Sequence, residues 1–461
     1  MSSSNIPDKQ RALILQGGGA LGAYDAGVIQ VLIEELPKID ALKKEMGRPL
    51  FDIIAGTSSG AINAALLAIF YRDNGTWKGA GDSVAKYWTG GSFNIDKDIA
   101  FQTRWWDEEH RGDSMAASSE AARRYFSAKH FLLEGAPGIF SRPEPQPDDR
   151  FFDYGSLPNN IWYQSKNDSL RETLGKLGFP IKNTIEEPRL LLVATDVKDG
   201  ATVTFDSYST QSEIGRNRKE ESDVQRKRLV HYDKGIMPEH VLASASVPLF
   251  YKFEKIGDEE LCDGGVLSNT PLREVLHAHR DYWYKVIGHS NPEAKVPALE
   301  VIIVSVWPRA ENASETVPTD YDGIKGRLYD IQLSDKTEYD EKTSMLISDL
   351  VGMLNEVKAR ALTSIKNEQE RRDFLSRYDQ LFQSKAKSRG RDGKTRNYLD
   401  VIGGRVGLAE EIVRIECKSD IDSISNKFFD LSEQSIERLI AQGKEDAEKA
   451  MEYLRNKIKE H

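Results

Sequence analysis

The sequence predicts an α/β fold in which helices cover both faces of a parallel sheet. Residues 11–16 (RALILQ) and 51–56 (FDIIAG) are short apolar runs typical of buried strands. Each is followed by a helical pattern, at 22–36 and 61–71, and Pro37 is expected to end the first helix. Alternating strands and helices favour a parallel sheet, because the crossover helices must pack on its faces.

The rest of the chain continues this pattern and then turns polar and helical. Further predicted elements are strands at 188–197, 201–207 and 298–307, a helix from Pro271, an amphipathic helix over 346–362, a strand within 407–419 and a last helix capped by Asp430. We therefore expect a disordered segment at 1–10, one domain at 11–310 and a mainly helical C-terminal extension at 311–461 that packs on this domain.

Residues 74–187 interrupt the strand pattern and are expected to form an insertion or cap over the sheet. This segment holds four of the seven tryptophans, namely Trp77, Trp88, Trp105 and Trp106. Burial of these tryptophans in the core of the cap is the favoured interpretation. An acyl-binding groove or contact with a membrane interface is the alternative.

The composition excludes several classes of protein. The 461 residues carry a net charge of −10, which leaves no global basic field for nucleic acid. Two cysteines, Cys262 and Cys417, are too few for a disulfide framework, and they indicate a reducing, cytoplasmic environment. The N-terminus lacks the apolar core of a secretory signal, and the apolar run at 61–70 is shorter than the ~20 residues of a membrane span. Any membrane contact is therefore expected to be peripheral.

The glycines after the first predicted strand raise two alternatives. Gly17, Gly19 and Gly22 match G-x-G-x-x-G, the pattern with which a strand–helix turn binds a dinucleotide. In that case the second strand would end in an acidic residue for the ribose, but it ends in GTSSG (56–60) instead. Nucleotide binding is therefore the weaker alternative, and a loop of backbone N–H groups that stabilise an oxyanion is favoured.

The segment GTSSG predicts a nucleophilic serine. Ser58 lies between Gly56 and Gly60 at a strand-to-helix turn, which is the G-x-S-x-G arrangement of a nucleophile elbow. The flanking residues must be small because strand and helix nearly touch there. The helix N-terminus adds N–H groups and a positive dipole end. Ser58 is therefore the candidate nucleophile for acyl transfer.

The candidate base for Ser58 is an aspartate. None of the eight histidines lies in a convincing catalytic context, and each is expected at the surface or in a cap. Asp263 ends a short apolar segment and precedes Gly264 and Gly265, which indicates a tight turn at a strand end. A free aspartate has a pKa near ~3.9, so burial would have to raise the pKa of Asp263 for it to act as a base. For this motif alone, an Asp–Gly turn without catalysis is the alternative.

Three motifs together resemble those of the patatin-like phospholipases. They are GGGALG (17–22), GTSSG (56–60) and DGG (263–265), in that order. The segment ASASVPLFYKF (243–253) is also similar to the small-residue and proline segment of that family. The resemblance covers residues 11–308 and implies a three-layer α/β/α sandwich around a mostly parallel central sheet, with the helical C-terminal extension added.

The resemblance also implies a chemistry. Ser58 and Asp263 would form a catalytic dyad, and Gly17, Gly18 and Gly19 would form the oxyanion hole. The glycines that support the motifs would be Gly22, Gly56, Gly60, Gly264 and Gly265. The implied function is hydrolysis of fatty-acyl esters of phospholipids or lysophospholipids through an acyl-enzyme. It requires no metal or other cofactor and only transient contact with a membrane surface.

One position departs from the family pattern, and two other functions stay open. Many members carry Arg or Lys where this chain has Leu21, so no electrostatic contribution is expected from that side chain. The motifs specify acyl transfer and not its leaving group. A general carboxylesterase, thioesterase or peptidase with the same dyad is therefore an alternative, and so is a non-catalytic lipid-binding scaffold.

Overall fold

The computed structural model describes most of the chain, with several gaps. The described residues are 7–92, 119–136, 138–141, 167–182, 187–208, 229–231, 235–287, 297–308, 317–389, 395–398, 408–418 and 424–460. The predictions for residues 1–6, for Trp105 and Trp106 and for three histidines, His110, His289 and His461, lie outside these ranges.

The strands, in chain order, are β1 (Lys9–Leu15), β2 (Ile53–Thr57), β3 (Gly135–Ala136), β4 (Phe140–Ser141), β5 (Arg189–Asp196), β6 (Ala201–Asp206), β7 (Leu229–His231), β8 (Glu254–Ile256), β9 (Glu259–Asp263), β10 (Ala298–Ser305), β11 (Lys385–Arg389), β12 (Thr395–Asn397) and β13 (Leu408–Glu416). β3 pairs only with β4 and β11 only with β12, and the other nine form one sheet in the described part of the chain. β1 begins inside the segment predicted to be disordered, because Lys9 and Gln10 pair with β10.

The main sheet runs in the order β13-β10-β1-β2-β5-β6-β7. The first five of these strands are parallel, as the alternation of strands and helices predicts. β6 and β9 pair antiparallel with β5, and β8 pairs antiparallel with β9. The predicted α/β class with a mostly parallel central sheet is therefore confirmed.

The helices, in chain order, are α1 (Ala23–Leu42), α2 (Ser59–Asn74), α3 (Ala80–Gly91), α4 (Ser119–Glu134), α5 (Asp168–Gly175), α6 (Pro238–Ala245), α7 (Leu272–Ile287), α8 (Tyr321–Leu333), α9 (Glu338–Ser364), α10 (Glu368–Gln383) and α11 (Glu433–Glu460). The region after β10 is mainly helical, as predicted. None of the described helices is both long and apolar enough to cross a membrane.

Helices cover both faces of the sheet. Leu13 and Leu15 of β1 belong to the larger apolar cluster, together with buried residues of α1 and α2. Ala12 and Ile14 point the other way and join a second cluster with the first turns of α7. Trp77 also lies in the larger cluster, so its predicted burial is confirmed. Side chains of the strands therefore alternate between the two faces, and the fold has three layers, with the sheet between two layers of helices.

The first helix passes through Pro37, so its predicted end at that residue is wrong. Proline removes one hydrogen bond from a helix interior. Here the last turn is held by tertiary contacts instead. Ile39 is buried in the core, and Asp40 forms a buried ion pair with Arg11 at 2.5 Å between Oδ1 and Nη2.

The last helix, α11, packs closely on α1. A Cβ at Gly27 would lie 2.0 Å from the carbonyl oxygen of Ile440, and one at Gly443 would lie 2.1 Å from that of Tyr24. The two backbones therefore meet at glycines, where no side chain separates them. The predicted apolar stripe of α11 faces this contact, with Ile436, Leu439, Ala447 and Met451 buried.

The last helix begins at Glu433, and the carbonyl of Ser432 accepts its first backbone hydrogen bond, so the predicted cap at Asp430 is wrong. Asp430 instead holds this turn through its side chain. Its carboxylate accepts hydrogen bonds from the hydroxyls of Ser432 and Ser435, at 2.7 and 2.5 Å. It also forms a buried ion pair with Arg124 of α4, at 3.0 Å. The start of α11 is thereby tied to a helix of the segment between β2 and β5.

Candidate active site

The candidate nucleophile lies at the turn between β2 and α2. Ser58 has φ 56° and ψ −123°, a conformation that L-residues rarely adopt. Its carbonyl accepts hydrogen bonds from the N–H groups of Ala61 and Ile62, so α2 begins directly after it. A Cβ at Gly56 would lie 2.1 Å from the carbonyl oxygen of Gly60, so strand and helix touch there. This arrangement is that of a nucleophile elbow.

The strand register brings Asp263 to the same end of the sheet as Ser58. Thr57, the last residue of β2, is opposite Val193 of β5. The next residue of β5, Ala194, is opposite Asp263 of β9. β9 therefore continues the edge of β5 where β2 ends. The two candidate residues of the dyad lie next to each other, although 205 positions separate them in the sequence (58 to 263).

Asp263 is buried in a way that changes its acidity. The residue is only 4% exposed within the chain, and this burial raises the pKa of its carboxyl to about 6. The nearby Ser58 hydroxyl and the Gly265 N–H partly oppose the rise. Oδ1 accepts a hydrogen bond from Gly265 N at 2.7 Å, whereas Oδ2 has no described partner of good hydrogen-bond geometry. Burial thus supplies the raised pKa that a carboxylate base requires.

The three glycines of the predicted oxyanion hole differ in how their N–H groups are used. Gly17 N donates to the carbonyl oxygen of Asn269 at 3.2 Å, and Gly18 N donates to Ser59 Oγ at 2.9 Å. Gly19, with φ 57°, starts a short 3₁₀ turn, and its N–H has no partner among the described residues. Of these three amides, the one at Gly19 makes no hydrogen bond within the described residues.

The carbonyl of Gly17 is held by side chains that the sequence analysis did not single out. Trp307 Nε1 donates to it at 2.8 Å, and Asn269 Nδ2 donates to it at 3.1 Å. The Asn269 amide also donates to the carbonyl of Leu333, the last residue of α8, at 2.8 Å. A signal was present for Asn269, because SNTP follows the DGG motif at a loop. Nothing in the sequence predicts the contact with Leu333.

The C-terminal region also contacts the glycine loop at Gly19. A Cβ at Gly19 would lie 2.3 Å from the carbonyl oxygen of Phe428. The ring of Phe428 packs at 6.2 Å from that of Trp307 and at 6.3 Å from that of Phe250, measured between centroids. The loop therefore rests on an aromatic cluster to which residues before and after 310 both contribute.

Ser244 is a further contact of the nucleophile turn. Its Oγ accepts a hydrogen bond from Ser58 N at 3.0 Å and donates one to the carbonyl of Val193 at 2.5 Å. It therefore connects the strained residue to the neighbouring strand β5. The small-residue segment at 243–253 drew attention to this region, but it did not identify Ser244.

Replacing Ser244 by alanine is expected to lower kcat/KM for a soluble aryl ester about tenfold. The loss of one buried hydrogen bond to the strained Ser58 backbone costs roughly 1–2 kcal/mol. Ser207→Ala is the matched control, because Ser207 Oγ accepts a similar bond from Leu190 N at 2.8 Å, near the other end of β5. Equal activity of the two variants would show that the bond to Ser58 does not position the nucleophile.

The remaining glycines of the motifs lie where side chains would collide. A Cβ at Gly22 would lie 2.8 Å from the Cβ of Ser59, and a Cβ at Gly264 would lie 2.3 Å from the carbonyl oxygen of Val193. A Cβ at Gly265 would lie 3.0 Å from Asp263 Oδ1. The turn after Asp263 therefore packs directly on β5.

A buried acid lies below the glycine loop. Asp25 of α1 accepts a hydrogen bond from Asn63 Nδ2 at 2.9 Å, and the same amide donates to the carbonyl of Gly22. Trp88 Nε1 donates to Asn63 Oδ1 at 2.9 Å, which confirms the predicted burial of this tryptophan. Burial raises the pKa of Asp25 to about 8, so this carboxyl is mostly protonated at neutral pH. Leu21 is also buried here.

His279, within α7, is fully buried, so its predicted position at the surface or in a cap is wrong. His240 Nδ1 accepts a hydrogen bond from Met237 N at 2.7 Å at the start of α6, so its predicted role as a cap is confirmed. Burial lowers the pKa of His240 to about 4 and that of His279 to about 3. Neither has a hydrogen bond to Ser58. In the part of the chain that is described, no group of three His, Cys, Asp or Glu residues could hold a metal ion.

A cavity of about 310 Å³ opens beside the turn that follows Asp263. It is lined by residues 265–270, by 199–202 and by the ends of α8 and α9, with Arg273 and Lys336 among the charged groups. Neither Ser58 nor Asp263 lines it. The cavity therefore lies beside the segment that follows Asp263 and not at the two candidate residues themselves.

Comparisons with known proteins identify the family of the chain. The family model described as patatin-like phospholipase matches residues 13–276. Over 64 residues, the chain is 45% identical to a cUMP-AMP-activated phospholipase of Escherichia coli, and this stretch spans 13% of the chain and 17% of that protein. A structural comparison pairs 97% of the chain with 67% of VipD from Legionella pneumophila, at 12% identity and a TM-score of 0.29.

Proposed function

Because the chain belongs to the patatin-like phospholipase family, we propose that it cleaves fatty-acyl esters of phospholipids or lysophospholipids, with Ser58 as nucleophile and Asp263 as base. Membership of the family supports lipid hydrolase activity. The observation that carries the finer proposal is the juxtaposition of a strained serine with a buried aspartate whose pKa is raised to about 6.

The proposed cycle forms and then breaks an acyl-enzyme. Asp263 Oδ2 takes the proton of Ser58 as Oγ attacks the ester carbonyl. The tetrahedral intermediate collapses when its alcohol, such as a lysophospholipid, leaves with the proton held by Asp263. Water then gives a proton to the same carboxylate and attacks the acyl carbonyl, and Ser58 regains its proton as the fatty acid leaves. Hydrogen bonds between nucleophile and base often tighten only when substrate is bound. This agrees with the buried Oδ2, which has no described hydrogen-bond partner here.

The oxyanion is proposed to bind at the glycine loop, with Gly19 N–H as its first donor. This amide has no described partner and lies at the start of a helical turn, where N–H groups point outward. Gly17 and Gly18 are proposed to set the backbone path of the glycine loop. Gly18 N–H could contribute only after its hydrogen bond with Ser59 Oγ breaks. One such donor is worth about 10²–10³ in rate.

The C-terminal region is proposed to be an extension that supports this site. Its support consists of the contact between Gly19 and the Phe428 carbonyl and the hydrogen bond from Asn269 to Leu333. Contact with a membrane surface is proposed to be transient and to serve access to lipid. A carboxylesterase or thioesterase with the same dyad is the second candidate, because the dyad does not specify the leaving group.

Release of fatty acid from mixed phospholipid vesicles in the presence of EDTA tests the proposal. We expect release by the wild type and a loss of roughly 10⁴–10⁶-fold in Ser58→Ala, as for other serine nucleophiles. Ser348→Ala, on α9, is the matched control and should keep full activity. No release from phospholipid or lysophospholipid, together with rapid hydrolysis of soluble aryl esters, would favour the carboxylesterase. Release that survives Ser58→Ala would show that the nucleophile is another residue.

The rate should depend on pH through Asp263. The base acts only when ionised, and the pKa of its carboxyl is about 6. For the wild type, kcat/KM for a soluble aryl ester should be constant above that pH and fall about tenfold per unit below it. A pH profile at constant ionic strength measures this. An acid limb near the ordinary aspartate pKa of ~3.9 would contradict a buried base.

A further inference from the structure

Lys427 is a buried lysine of the C-terminal region. It begins a short 3₁₀ turn, Lys427–Phe429, and its side chain is only 1% exposed. Its Nζ lies 2.8 Å from Asp330 Oδ1 of α8 and 5.1 Å from the centroid of the Trp307 ring. Lysine is almost never fully buried unless it is paired, and apolar residues in place of a buried ion pair are often as stabilising as the pair. The charge of Lys427 therefore calls for a reason beyond stability.

The Trp307 ring connects this charge to the glycine loop. Its Nε1–H donates to the carbonyl of Gly17 at 2.8 Å, and a Cβ at Gly18 would lie 3.4 Å from the same nitrogen. A cation beside an indole ring is attracted by the π electrons, and more so when both groups are away from water. The cation draws electron density from the ring, which makes the indole N–H a stronger donor. Lys427 therefore strengthens the hydrogen bond to Gly17.

The peptide between Gly17 and Gly18 carries this polarisation further. The peptide is trans, so its carbonyl oxygen and its amide hydrogen point in opposite directions. Asn269 Nδ2 is a second donor to the Gly17 carbonyl, at 3.1 Å, so two side chains fix the plane of this peptide. On the other side, Gly18 N–H donates at 2.9 Å to Oγ of Ser59, the residue after the candidate nucleophile. The Gly18 N–H is thus directed at the turn that holds Ser58.

The donors of this chain of contacts all point the same way. Positive charge lies at one end, on Lys427, and each hydrogen bond donates toward Ser59 at the other end. Hydrogen bonds arranged in one direction polarise one another, by about 10–30% per bond. A polarised N–H gains more from an anionic acceptor than from a neutral hydroxyl. The chain of contacts therefore favours transfer of the Gly18 N–H from Ser59 Oγ to an oxyanion as negative charge develops on the substrate.

We propose that Lys427 is a positioning residue for acyl transfer, which acts through Trp307 to hold and polarise the Gly17–Gly18 peptide for the oxyanion. The proposal rests on the function proposed above, with Ser58 as nucleophile. The effect arises only as the oxyanion forms, because the ground state of the substrate carries no such charge. Lys427 should therefore affect kcat and have little effect on KM.

A purely structural role of the ion pair is the alternative, and it predicts a different pattern of effects. If the pair only anchored the turn at Lys427 to α8, loss of either partner would disturb the glycine loop in the same way. In the proposed role the two partners act in opposite directions, because the carboxylate of Asp330 partly offsets the field of the ammonium group. Loss of the cation should lower the rate, whereas loss of the anion should not.

Hydrolysis of a soluble aryl ester tests the proposal, with kcat expressed per active site after titration with a fluorophosphonate. We expect Lys427→Met to lower kcat about tenfold, less than the 10²–10³ of a whole oxyanion donor, and to leave KM within about twofold of the wild type. Asp330→Asn should keep or exceed the wild-type kcat. The matched control is Lys325→Met, which should leave kcat unchanged. It removes a lysine that lies 5.8 Å from the centroid of the Tyr329 ring and donates to Asn426 Oδ1.

A double-mutant cycle tests the route through the indole group. Trp307→Phe keeps an aromatic ring but removes the N–H that donates to Gly17. In that background, Lys427→Met should lower kcat by less than about twofold, because the indole N–H no longer links the charge to the peptide. Urea unfolding checks that each variant is folded. If Lys427→Met does not fold, Lys427→Gln takes its place, since a glutamine amide can still donate to Asp330.

Three results would overturn the proposal. The first is a Lys427→Met protein with the wild-type kcat, and the second is an equal loss of kcat in Lys427→Met and Asp330→Asn. The third is a loss in Lys427→Met of the same size whether residue 307 is tryptophan or phenylalanine. In all three the wild type is active, so the proposed function stands. A wild type that hydrolyses no ester would overturn the proposed function, and the role of Lys427 with it.

Discussion

The Asp263→Asn variant is expected to lose nearly all ester hydrolysis and, at the same time, to become more stable than the wild type at about pH 8. Asparagine cannot take the proton of Ser58, so the loss of rate should be roughly 10⁴–10⁶-fold, as for other members of a catalytic unit. The gain in stability follows from burial. An ionised carboxylate is costly at a site that is only 4% exposed, and a neutral amide of the same shape is not.

The size and sign of this stability change follow from the pKa of Asp263. Folding raises that pKa from 3.8 to about 6. The folded state therefore binds the proton more tightly, so the contribution of Asp263 to stability is full below ~pH 4 and is lost as the pH rises through about 6. At about 1.4 kcal/mol per unit, the ionised carboxylate costs on the order of 3 kcal/mol above that range. Asp263→Asn removes this cost, and the difference from the wild type should vanish in acid.

Urea unfolding of both proteins at about pH 8 and at ~pH 4, together with kcat/KM at the higher pH, measures the effect. Asp25→Asn is the matched control, because burial also raises the pKa of that carboxyl, to about 8. We expect this control to gain stability at high pH as well, and to keep its activity within about tenfold. An Asp263→Asn protein that is inactive and also less stable at high pH would indicate a structural role for Asp263 in place of that of a buried base.

The closeness of Ser58 and Asp263 was more predictable from the sequence than the contacts that support the glycine loop. Ser58 and Asp263 could be proposed as a pair because a nucleophile elbow and an Asp–Gly–Gly turn need particular small residues next to each other in the chain. The strand registers that bring these residues together belong to the fold and are not specified by either motif alone. Local backbone constraints restrict which residue types can occupy the positions of a motif, so such motifs can be recognised without a structure.

The supports of the glycine loop depend on contacts that are remote in the sequence. Leu333 contributes only its carbonyl, and any residue has one. Phe428 is one of 17 phenylalanines, and nothing around it indicates contact with Gly19. The end of α1 was misplaced for a related reason. The ion pair between Arg11 and Asp40 outweighs the local effect of Pro37, and it connects residues 29 positions apart.

The Gly60→Ala variant is expected to lose both its fold and its activity. A Cβ at Gly60 would lie 2.2 Å from the carbonyl oxygen of Leu15 and 2.7 Å from its carbonyl carbon. Both are backbone atoms of the central strand β1, so no side-chain rotation relieves the collision. The first turn of α2 would have to move away from the sheet, and Ser58 would move with it. We expect a loss of about 3 kcal/mol or more in the free energy of unfolding, at the upper end of the range for overpacking.

The matched control for this change is Gly90→Ala, in the last turn of α3. A Cβ at Gly90 meets nothing within 4 Å, and alanine is favoured over glycine in a helix by up to about 1 kcal/mol. Relative to the wild type, Gly60→Ala should lower both the free energy of unfolding in urea and the rate of aryl ester hydrolysis. Gly90→Ala should raise these two quantities or leave them unchanged. If Gly60→Ala were as stable as the wild type but inactive, α2 would have shifted without loss of the core. The close packing of β1 and α2 would then serve to hold Ser58 in its strained conformation more than to hold the fold together.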